Sequence, residues 1–254
     1  IVSEMEDAIS LGVGEPDFDT PWHIRDEGIY SLEKGRTFYT SNAGLKQLRE
    51  EIAHYLRRRY QVSYDPLHEI MITVGGSEAI DIALRAMVNP GDEVLIPQPS
   101  YVSYEPCAVL AGAKPVIIPL KAENEFRLTA QELLDAITEK TKILILPYPN
   151  NPTASVADRS FYERLVAYAR EHQIIILHDN AYSDLLLNGE QGLSFLSIPG
   201  AKEVGIEFNS LSKTYNLTGM RVSFPLGNRE IISRFRAFRS QIDYGTFYPI
   251  QAGA

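Results

Sequence analysis

The chain has 254 residues, 44% of them hydrophobic and 22% charged, which is typical of a globular protein with a sizeable core. Its net charge of −9 at pH 7 argues against nucleic acid as a partner, because neutralising phosphates requires a basic face. No apolar run approaches the ~20 residues that a membrane span needs. The single cysteine, Cys107, forms no internal disulfide and supplies no metal cluster, so we expect a cytoplasmic protein without a metal site.

Short apolar, β-branched runs alternate with longer helical patterns along most of the chain. The predicted strands are 69–74, 93–97, 115–120, 142–146, 174–177, 204–208 and 221–224. Helices are predicted between several of them, at 77–88, 129–137 and 160–172. This alternation predicts an α/β fold with a mostly parallel seven-stranded sheet and helices on both faces. The first 35 residues differ, because glycines and prolines make them rich in turns.

In an open parallel sheet, ligands bind beyond the carboxyl ends of the strands, so the residues that follow each predicted strand are candidates for a site. Gly75-Gly76-Ser77 follows the first predicted strand and opens a helix, whose free N–H groups suit an anion. Such a turn is common, and by itself it indicates only a turn. Tyr101 follows the second strand, where its ring either stacks on a flat heterocycle or packs over the sheet edge.

Three further strand ends carry polar side chains. Asn150 and Asn151 lie in the proline-rich turn after the fourth predicted strand, where they either support the turn or hydrogen-bond a ligand. Asp179 follows the fifth strand, and a carboxylate there is costly to bury unless a cation or hydrogen-bond donors meet it. Lys213 follows the sixth strand among hydroxyl-bearing and small residues, a pattern that taken alone suits a surface loop.

Together these residues match the needs of one ligand, the phosphorylated pyridine aldehyde pyridoxal 5'-phosphate (PLP). Its phosphate needs a cradle, its ring a stacking partner, its ring nitrogen a carboxylate, its phenolic oxygen donors, and its aldehyde an amine that forms a Schiff base. The candidates for the phosphate cradle are Gly76, Ser77, Glu78, Ser210, Ser212 and Arg221. Tyr101 is the candidate for stacking on the ring, and Asp179 for the ring nitrogen. Asn151 and Tyr182 are the candidates for the phenolic oxygen, and Lys213 for the Schiff base. The combination is far more specific than any of its members.

The same segments closely resemble the large domain of class I and II aminotransferases, in the aspartate aminotransferase superfamily. The matching motifs, in the family's order, are Asn150-Asn-Pro-Thr153, Asp179-Asn-Ala-Tyr182, Ser210-Leu-Ser-Lys213 and Gly219-Met-Arg221. Three positions depart from the common pattern, since Ala154 stands for a glycine, Asn180 for a glutamate and Met220 for a tryptophan. None of these departures removes a group that the chemistry needs.

The resemblance implies an aminotransferase that moves an amino group between an L-amino acid and a 2-oxo acid through a Schiff base on Lys213. It implies that Asp179 and Tyr182 are the other catalytic residues. Relatives of this shape use aspartate, aromatic amino acids or diaminopimelate, and the choice among these donors stays open.

The resemblance also has consequences for substrate contacts and domains. It implies that Gly14 and Asn151 contact the substrate, and that Tyr39 reaches the phosphate of the partner subunit in a homodimer with shared active sites. Family members carry a long further stretch that forms most of a small domain, so we expect that domain to be largely absent here. Residues 1–35 would belong to the small domain and the region that closes over substrate, and residues 36–254 to the PLP-binding large domain.

Two alternatives use the same cofactor. One is a C–S lyase of the same fold, and the other is a catalytically inactive PLP-binding fragment or sensor domain. A nucleotide-binding protein is disfavoured, because the chain has no Gly-x-x-x-x-Gly-Lys-Ser/Thr motif.

Overall fold

A computed structural model describes residues 5, 7, 9, 12, 14–187 and 192–254, in which seven strands form one sheet. The strands are β1 (Thr73–Val74), β2 (Glu93–Gln98), β3 (Lys114–Pro119), β4 (Thr141–Leu146), β5 (Ile175–Asp179), β6 (Gly205–Ser210) and β7 (Val222–Gly227). Their order across the sheet is β1-β7-β6-β5-β4-β2-β3. Strands β2 to β6 pair in parallel, whereas β7 runs antiparallel to both neighbours. The predicted mostly parallel, seven-stranded sheet is confirmed.

Helices pack on both faces of this sheet, as predicted. They are α1 (Trp22–Glu33), α2 (Lys46–Tyr60), α3 (Gly75–Met87), α4 (Tyr104–Leu110), α5 (Ala130–Ala136), α6 (Arg159–His172), α7 (Ala201–Val204), α8 (Leu211–Thr214), α9 (Arg229–Arg239) and α10 (Tyr248–Gly253). Ile143 and Ile145 of β4 belong to the core layer that contains α3, α4 and α9. Leu144 and Leu146 alternate with them and pack in the opposite layer, with α2 and α6. A strand buried on both faces therefore reads as a continuous apolar run.

Strand β1 is shorter than the predicted strand 69–74, and the position of Pro225 accounts for the difference. The last strand was predicted to end before this proline, but Pro225 lies inside β7. The Met71 N–H donates to the Pro225 carbonyl at 3.0 Å. Proline has no N–H with which to return that bond, so regular pairing between the two segments is interrupted.

The chain order places a topological switch point between β2 and β4. From β2 the chain passes outward to β3, then crosses to β4 on the other side of β2 and continues through β5 to β6. Ligands of open α/β sheets bind at such a point, beyond the carboxyl ends of the strands. The segments that follow β2, β4, β5 and β6 are those that carry most of the predicted site residues.

The described part of the N-terminal segment contacts this domain at two places. Helix α1 packs against α10, where a Cβ on Gly253 would lie 2.6 Å from the carbonyl oxygen of Ile24. Residues 14–20 run beside the loop that follows α8, where the Thr20 hydroxyl donates to the Asn216 carbonyl at 2.6 Å. Residues 1–4, 6, 8, 10, 11 and 13 of the predicted N-terminal segment lie outside the described residues. None of the helices described is both long and apolar enough to cross a membrane.

Candidate active site

The glycine turn after β1 lies directly against Arg221. Gly75 begins α3 with a φ of +76°, two residues before the predicted helix start. A Cβ on Gly75 would lie 2.2 Å from Nη2 of Arg221, so only glycine lets the guanidinium approach this backbone so closely. Arg221 precedes β7 in a left-handed conformation, with a φ of 58°, rather than opening the strand as predicted. The free N–H groups of α3 and this cation together suit an anion such as a phosphate.

Ser77 and Glu78, also predicted to contact a phosphate, lie in the first turn of α3. Ser77 does not cap the helix, and its Oγ lies 3.2 Å from the hydroxyl oxygen of Tyr101. The carboxylate of Glu78 accepts hydrogen bonds from Nε of Arg239 at 3.1 Å and from the Val74 N–H at 2.5 Å. Since these contacts occupy its side chain, its backbone N–H is the group left for a phosphate, and that contact stays a prediction.

Asp179, at the carboxyl end of β5, is a buried carboxylate without a cationic side chain bonded to it. The Tyr104 hydroxyl donates to its Oδ2 at 2.7 Å, and the Ala181 N–H donates to its Oδ1 at 3.3 Å. Burial raises the pKa of Asp179, and these bonds and the charge of His178 oppose that rise only in part. A protonated ring nitrogen would provide the missing positive partner.

Tyr104 is a site residue that the sequence analysis missed. It begins α4, three residues after Tyr101, and the two rings meet edge to face with centroids 5.7 Å apart. Burial, followed by the charge of Asp179, raises the pKa of Tyr104 well above its usual value, so the phenol remains a donor to that carboxylate. The signal in the sequence was a second tyrosine, one helical turn after the predicted stacking residue.

Asn151, Tyr182 and Lys213 come together at the ends of β4, β5 and β6. Nδ2 of Asn151 donates to the Tyr182 hydroxyl at 3.3 Å. Nζ of Lys213 lies 5.9 Å from the centre of the Tyr182 ring and donates to the Gly14 carbonyl. Burial raises the pKa of Tyr182, and the charge of Asp179 adds to this rise, so Tyr182 keeps a proton to donate. The predicted lysine, phenol and amide therefore share one location with the opening segment.

Ser210 and Ser212 have a local structural role in the short helix α8, which carries Lys213. The Ser210 hydroxyl accepts a hydrogen bond from the Ser212 N–H at 3.2 Å and so caps this helix. Ser212 is buried. Their contact with a phosphate stays a prediction.

Tyr39 lies apart from the residues described so far. Its side chain is 82% exposed, and its ring packs on Tyr244 with centroids 4.7 Å apart. No hydrogen bond of the described chain joins it to the other predicted site residues. A role at the phosphate would therefore require a second chain, as the resemblance implies.

Two hollows in the surface differ in their relation to these residues. One of about 360 Å³ is lined by residues of the opening segment, including Glu15 and Thr20, and by the 216–220 loop between Lys213 and Arg221. A larger one of about 480 Å³ is bordered by α5 and α6, and none of its lining residues is a predicted site residue. We place the candidate site at the strand ends, because the unpaired charges are there and the larger hollow is mostly apolar.

The residues at these strand ends fit PLP. Gly75 and Arg221 form an anion cradle that a side chain at position 75 would fill, and Asp179 is a buried carboxylate that lacks a cation. Lys213 lies beside the hydrogen-bonded pair of Asn151 and Tyr182. A phosphate, a pyridine nitrogen, a phenolic oxygen and an aldehyde each find a matching group.

Comparison with known proteins identifies the family. Residues 6–252 match the model of the aminotransferase class I and II family. The chain belongs to this family. Members of the family use pyridoxal phosphate, as the donor set described above requires.

Individual aminotransferases agree with this assignment. The chain is 45% identical to a putative aminotransferase, YugH, of Bacillus subtilis (strain 168), over 88% of this chain and 58% of that protein. It is 39% identical to an LL-diaminopimelate aminotransferase of Syntrophobacter fumaroxidans (strain DSM 10017 / MPOB), over 96% of this chain and 63% of that one. A crystal structure of an aromatic aminotransferase from Pyrococcus horikoshii OT3 superposes with a TM-score of 0.94 at 40% identity, covering 98% of this chain and 67% of that chain. The chain thus spans about three fifths of the length of the curated relatives it matches.

Two departures from the aminotransferase pattern have structural explanations. Ala154 has a φ of 57°, in the left-handed region where glycine is free of strain, which is why glycine is usual there. Asn180 is buried, and its Nδ2 donates to Oε1 of Glu207 at 3.1 Å. The glutamate usual at position 180 would place a second carboxylate against Glu207.

Proposed function

We propose that this protein is a PLP-dependent aminotransferase that moves an amino group between an L-amino acid and a 2-oxo acid. The observation that carries the proposal is the grouping of Lys213 and Asp179 at neighbouring strand ends, each without an ion-pair partner in the described residues. Arg221, equally unpaired, lies against the turn that opens α3. Family membership supports the same activity.

Each residue then has a defined task. PLP, when bound, supplies an electron sink for the carbanion formed at the substrate's Cα. Lys213 holds the cofactor between turnovers and, once displaced by the substrate amine, accepts the Cα proton at its Nζ. Asp179 keeps a proton on the ring nitrogen, and Tyr182, oriented by Asn151, donates to the phenolic oxygen.

The remaining residues bind and enclose. Arg221 and the first turn of α3, from Gly75 to Glu78, hold the phosphate, with the hydroxyls of Ser210 and Ser212 as further donors. The ring of Tyr101 stacks on the cofactor. The Gly14 carbonyl accepts a hydrogen bond from Nζ of Lys213, so the opening segment helps to orient this lysine.

We further propose that residues 1–35 act with the small domain in closing over substrate, that 36–254 is the cofactor-binding large domain, and that two copies form a homodimer. Support for the dimer comes from an exposed aromatic surface on which Tyr39 and Tyr244 pack together. In a dimer Tyr39 would reach the phosphate of the partner subunit. The half-buried free thiol of Cys107 is consistent with a cytoplasmic location, where thiols stay reduced.

The decisive experiment is the visible spectrum of the purified protein mixed with PLP. We expect a yellow adduct that changes colour when an amino-acid donor is added and returns when a 2-oxo acid follows. Lys213→Ala should lose the yellow adduct and all turnover, because it removes the lysine amine that lies beside Tyr182 and Gly14. Lys46→Ala, which removes an exposed lysine paired with Glu50, is the matched control and should behave as wild type.

The outcomes separate this proposal from its alternatives. A C–S lyase would release pyruvate and ammonia without needing a 2-oxo acid. An adduct that ignores every amino acid would indicate a PLP-binding protein without catalysis. Folded wild-type protein that forms no Lys213-dependent adduct would overturn the proposal. Light scattering of the same samples would check the dimer, and screening donors, including the LL-diaminopimelate and aromatic amino acids named for relatives, would identify the substrate.

A further inference from the structure

A fully buried histidine and glutamate face each other directly behind the candidate site. His178 of β5 and Glu207 of β6 are opposite each other in the register of the two parallel strands, and both are 0% exposed. Nδ1 of His178 lies 3.0 Å from Oε2 of Glu207. Nε2 of His178 lies 2.7 Å from the backbone carbonyl oxygen of Tyr148. A carbonyl oxygen only accepts, so Nε2 carries a proton.

The contacts of Glu207 indicate that the second ring nitrogen of His178 is protonated too. Oε1 of Glu207 accepts from Nδ2 of Asn180 at 3.1 Å and from Nδ2 of Asn209 at 2.9 Å. Oε2 accepts from the Ser194 hydroxyl at 2.8 Å, which leaves one position for His178. Burial alone would raise the pKa of Glu207, but the bond and charge of His178 and these other donors together lower it. With Glu207 as a carboxylate and His178 as an imidazolium, each carboxylate oxygen accepts two hydrogen bonds and both ring nitrogens donate one.

Apart from Ser194, the partners in this cluster are close in sequence to residues of the candidate site. Tyr148 lies in the turn that carries Asn151, and His178 immediately precedes Asp179. Glu207 and Asn209 lead β6 into the helix that carries Lys213. The cluster therefore joins the ends of β4, β5 and β6, whose relative positions set the distances among the three groups that would contact the cofactor.

We propose that the His178–Glu207 ion pair is the positioning unit of the cofactor site, which fixes Asn151, Asp179 and Lys213 relative to one another and places a positive charge beside Asp179. This inference rests on the proposed function. Neither residue touches the reacting atoms, so both act through their neighbours. The charge of His178 counteracts the effect of burial on the pKa of Asp179, which agrees with the second part of the proposal.

The other titratable groups around the pair do not compete for its proton near neutral pH. Burial raises the pKa of Tyr60, Tyr64 and Tyr162, and the charge of Glu207 raises each pKa further. For Tyr60 of α2, the hydrogen bond with Ser183 opposes part of this rise. Burial raises the pKa of Tyr148 to about 12. The acidic group that remains is Asp179, which adjoins His178 in β5. A change of charge in the pair should therefore change the pKa of Asp179 and the pH midpoint of the cofactor's colour change.

The test compares two variants with wild type and one control. His178→Gln leaves the charge of Glu207 unpaired, and His178→Gln/Glu207→Gln removes both charges while keeping amide groups that can hydrogen-bond. The control is Glu93→Gln, which alters another buried strand glutamate, at the first position of β2. For each protein we would measure the pH midpoint of the colour change of the Lys213 adduct, the Kd for PLP, and the urea midpoint of the cofactor-free protein.

The expected signature is a shift that a second substitution reverses. The unpaired negative charge of Glu207 stabilises the cationic form of the adduct, so His178→Gln should raise its pH midpoint by about one unit. Adding Glu207→Gln removes the unpaired charge, so the pH midpoint of the adduct should return most of the way to the wild-type value. A purely structural role would instead predict a larger disturbance from the second substitution. In both variants the Kd for PLP should rise about tenfold or more, because misplaced site residues should lose binding free energy equal to about one hydrogen bond. Glu93→Gln should lower the urea midpoint without changing the Kd or the pH midpoint.

Several results would overturn the inference. A His178→Gln protein that binds PLP with an unchanged pH midpoint, or a double variant no closer to wild type than the single one, contradicts the charge role. If His178→Gln does not fold, the double variant carries the test, and a wild-type Kd in it contradicts positioning. A wild-type protein without a Lys213-dependent adduct defeats the proposed function itself, whereas unchanged variants alongside a normal wild-type adduct defeat this inference alone.

Discussion

Both ends of the sheet carry buried acidic groups, but one of those at the carboxyl ends, Asp179, has no ion-pair partner in the described residues. At the amino ends of the strands, the carboxylate of Glu93 pairs with Nζ of Lys114 at 2.9 Å and accepts from the Thr138 hydroxyl at 2.6 Å. These hydrogen bonds lower the pKa of Glu93, the bond from Thr138 contributing most. The cluster ties together the starts of β2, β3 and β4 and needs nothing further.

The carboxyl ends are electrically incomplete by contrast. In the part of the chain that the structure describes, Asp179 forms no ion pair, and neither Lys213 nor Arg221 pairs with a carboxylate. In the proposed function PLP would supply the missing charges, with its phosphate beside Arg221 and its ring N–H beside Asp179. Balanced buried charges therefore mark a structural cluster, whereas unbalanced ones mark a site that its ligand completes.

The largest expected effect comes from Asp179→Asn, which separates stability from function. Turnover should fall by about a thousandfold, since the ring nitrogen loses the carboxylate that keeps its proton. The cofactor-free protein should instead gain about 1 kcal/mol at pH 7, because a buried charge without a cation is removed while an acceptor for Tyr104 remains. Kinetics of the loaded protein and urea unfolding of the cofactor-free protein measure the two effects.

The sign of the pH dependence sharpens this prediction. Because the folded protein raises the pKa of Asp179, ionising this group costs stability as the pH rises above its unfolded value, near 4. The stability gained by Asp179→Asn should therefore be present at pH 7 and disappear toward pH 3. Near-normal turnover, or a loss of stability at pH 7, would show that Asp179 is an ordinary structural carboxylate.

A smaller effect is expected from a methyl group in the phosphate cradle. Gly75→Ala would place its Cβ against Arg221, so the Kd for PLP should rise about 10- to 100-fold as the guanidinium is displaced. Gly91→Ala is the matched control at the amino ends of the strands, since Gly91 has a φ of +93° but open space around its Cβ. Both variants should lose about 1 kcal/mol of stability from the left-handed backbone. Equal Kd values for PLP in the two variants would contradict the predicted role of Gly75 and Arg221 in binding the phosphate.

The smallest effect is expected from a substitution at the amino ends of the strands, where the charge of Glu93 is paired. Glu93→Gln should cost about 1 to 2 kcal/mol at pH 7 through weakened hydrogen bonds to Lys114 and Thr138. Because the folded protein lowers the pKa of Glu93, its contribution is present above the unfolded value of about 4.3 and is lost as the pH falls through the folded one. Urea unfolding should show the difference from wild type shrinking below about pH 4. A difference that persists there would assign the cost to packing rather than to charge.

The sequence was sufficient for those site residues that follow directly from a strand end. Asn151, Asp179 and Lys213 each come at or just after the end of a predicted buried strand, and parallel strands bring their carboxyl ends to one edge. Residues whose role depends on strand register could not be found in this way. His178 and Glu207 are polar residues in apolar runs, which is a signal, but their pairing follows from β5 and β6 being neighbours in one particular register. Tyr104 similarly depends on how α4 packs at the end of β2.

The fold shows the same division between local and long-range information. All seven strands were predicted, because each is an apolar, β-branched run between turn residues. The shortening of the first strand was not predicted, because it depends on Pro225 in β7, the strand with which β1 pairs. The paired residues Thr73 and Ser223 are 150 positions apart in the sequence. The residue pattern of a segment predicts that it forms a strand, and its pairing with neighbouring strands determines how long that strand is.

The bond between Asn180 and Glu207 constrains how this sequence can diverge. A glutamate at position 180 would face Glu207 across the 3.1 Å that Asn180 now spans with an N–H donor. Two carboxylates at that distance repel, so a glutamate at 180 in this sequence would favour a neutral side chain at 207 or a proton shared between the two carboxyl groups.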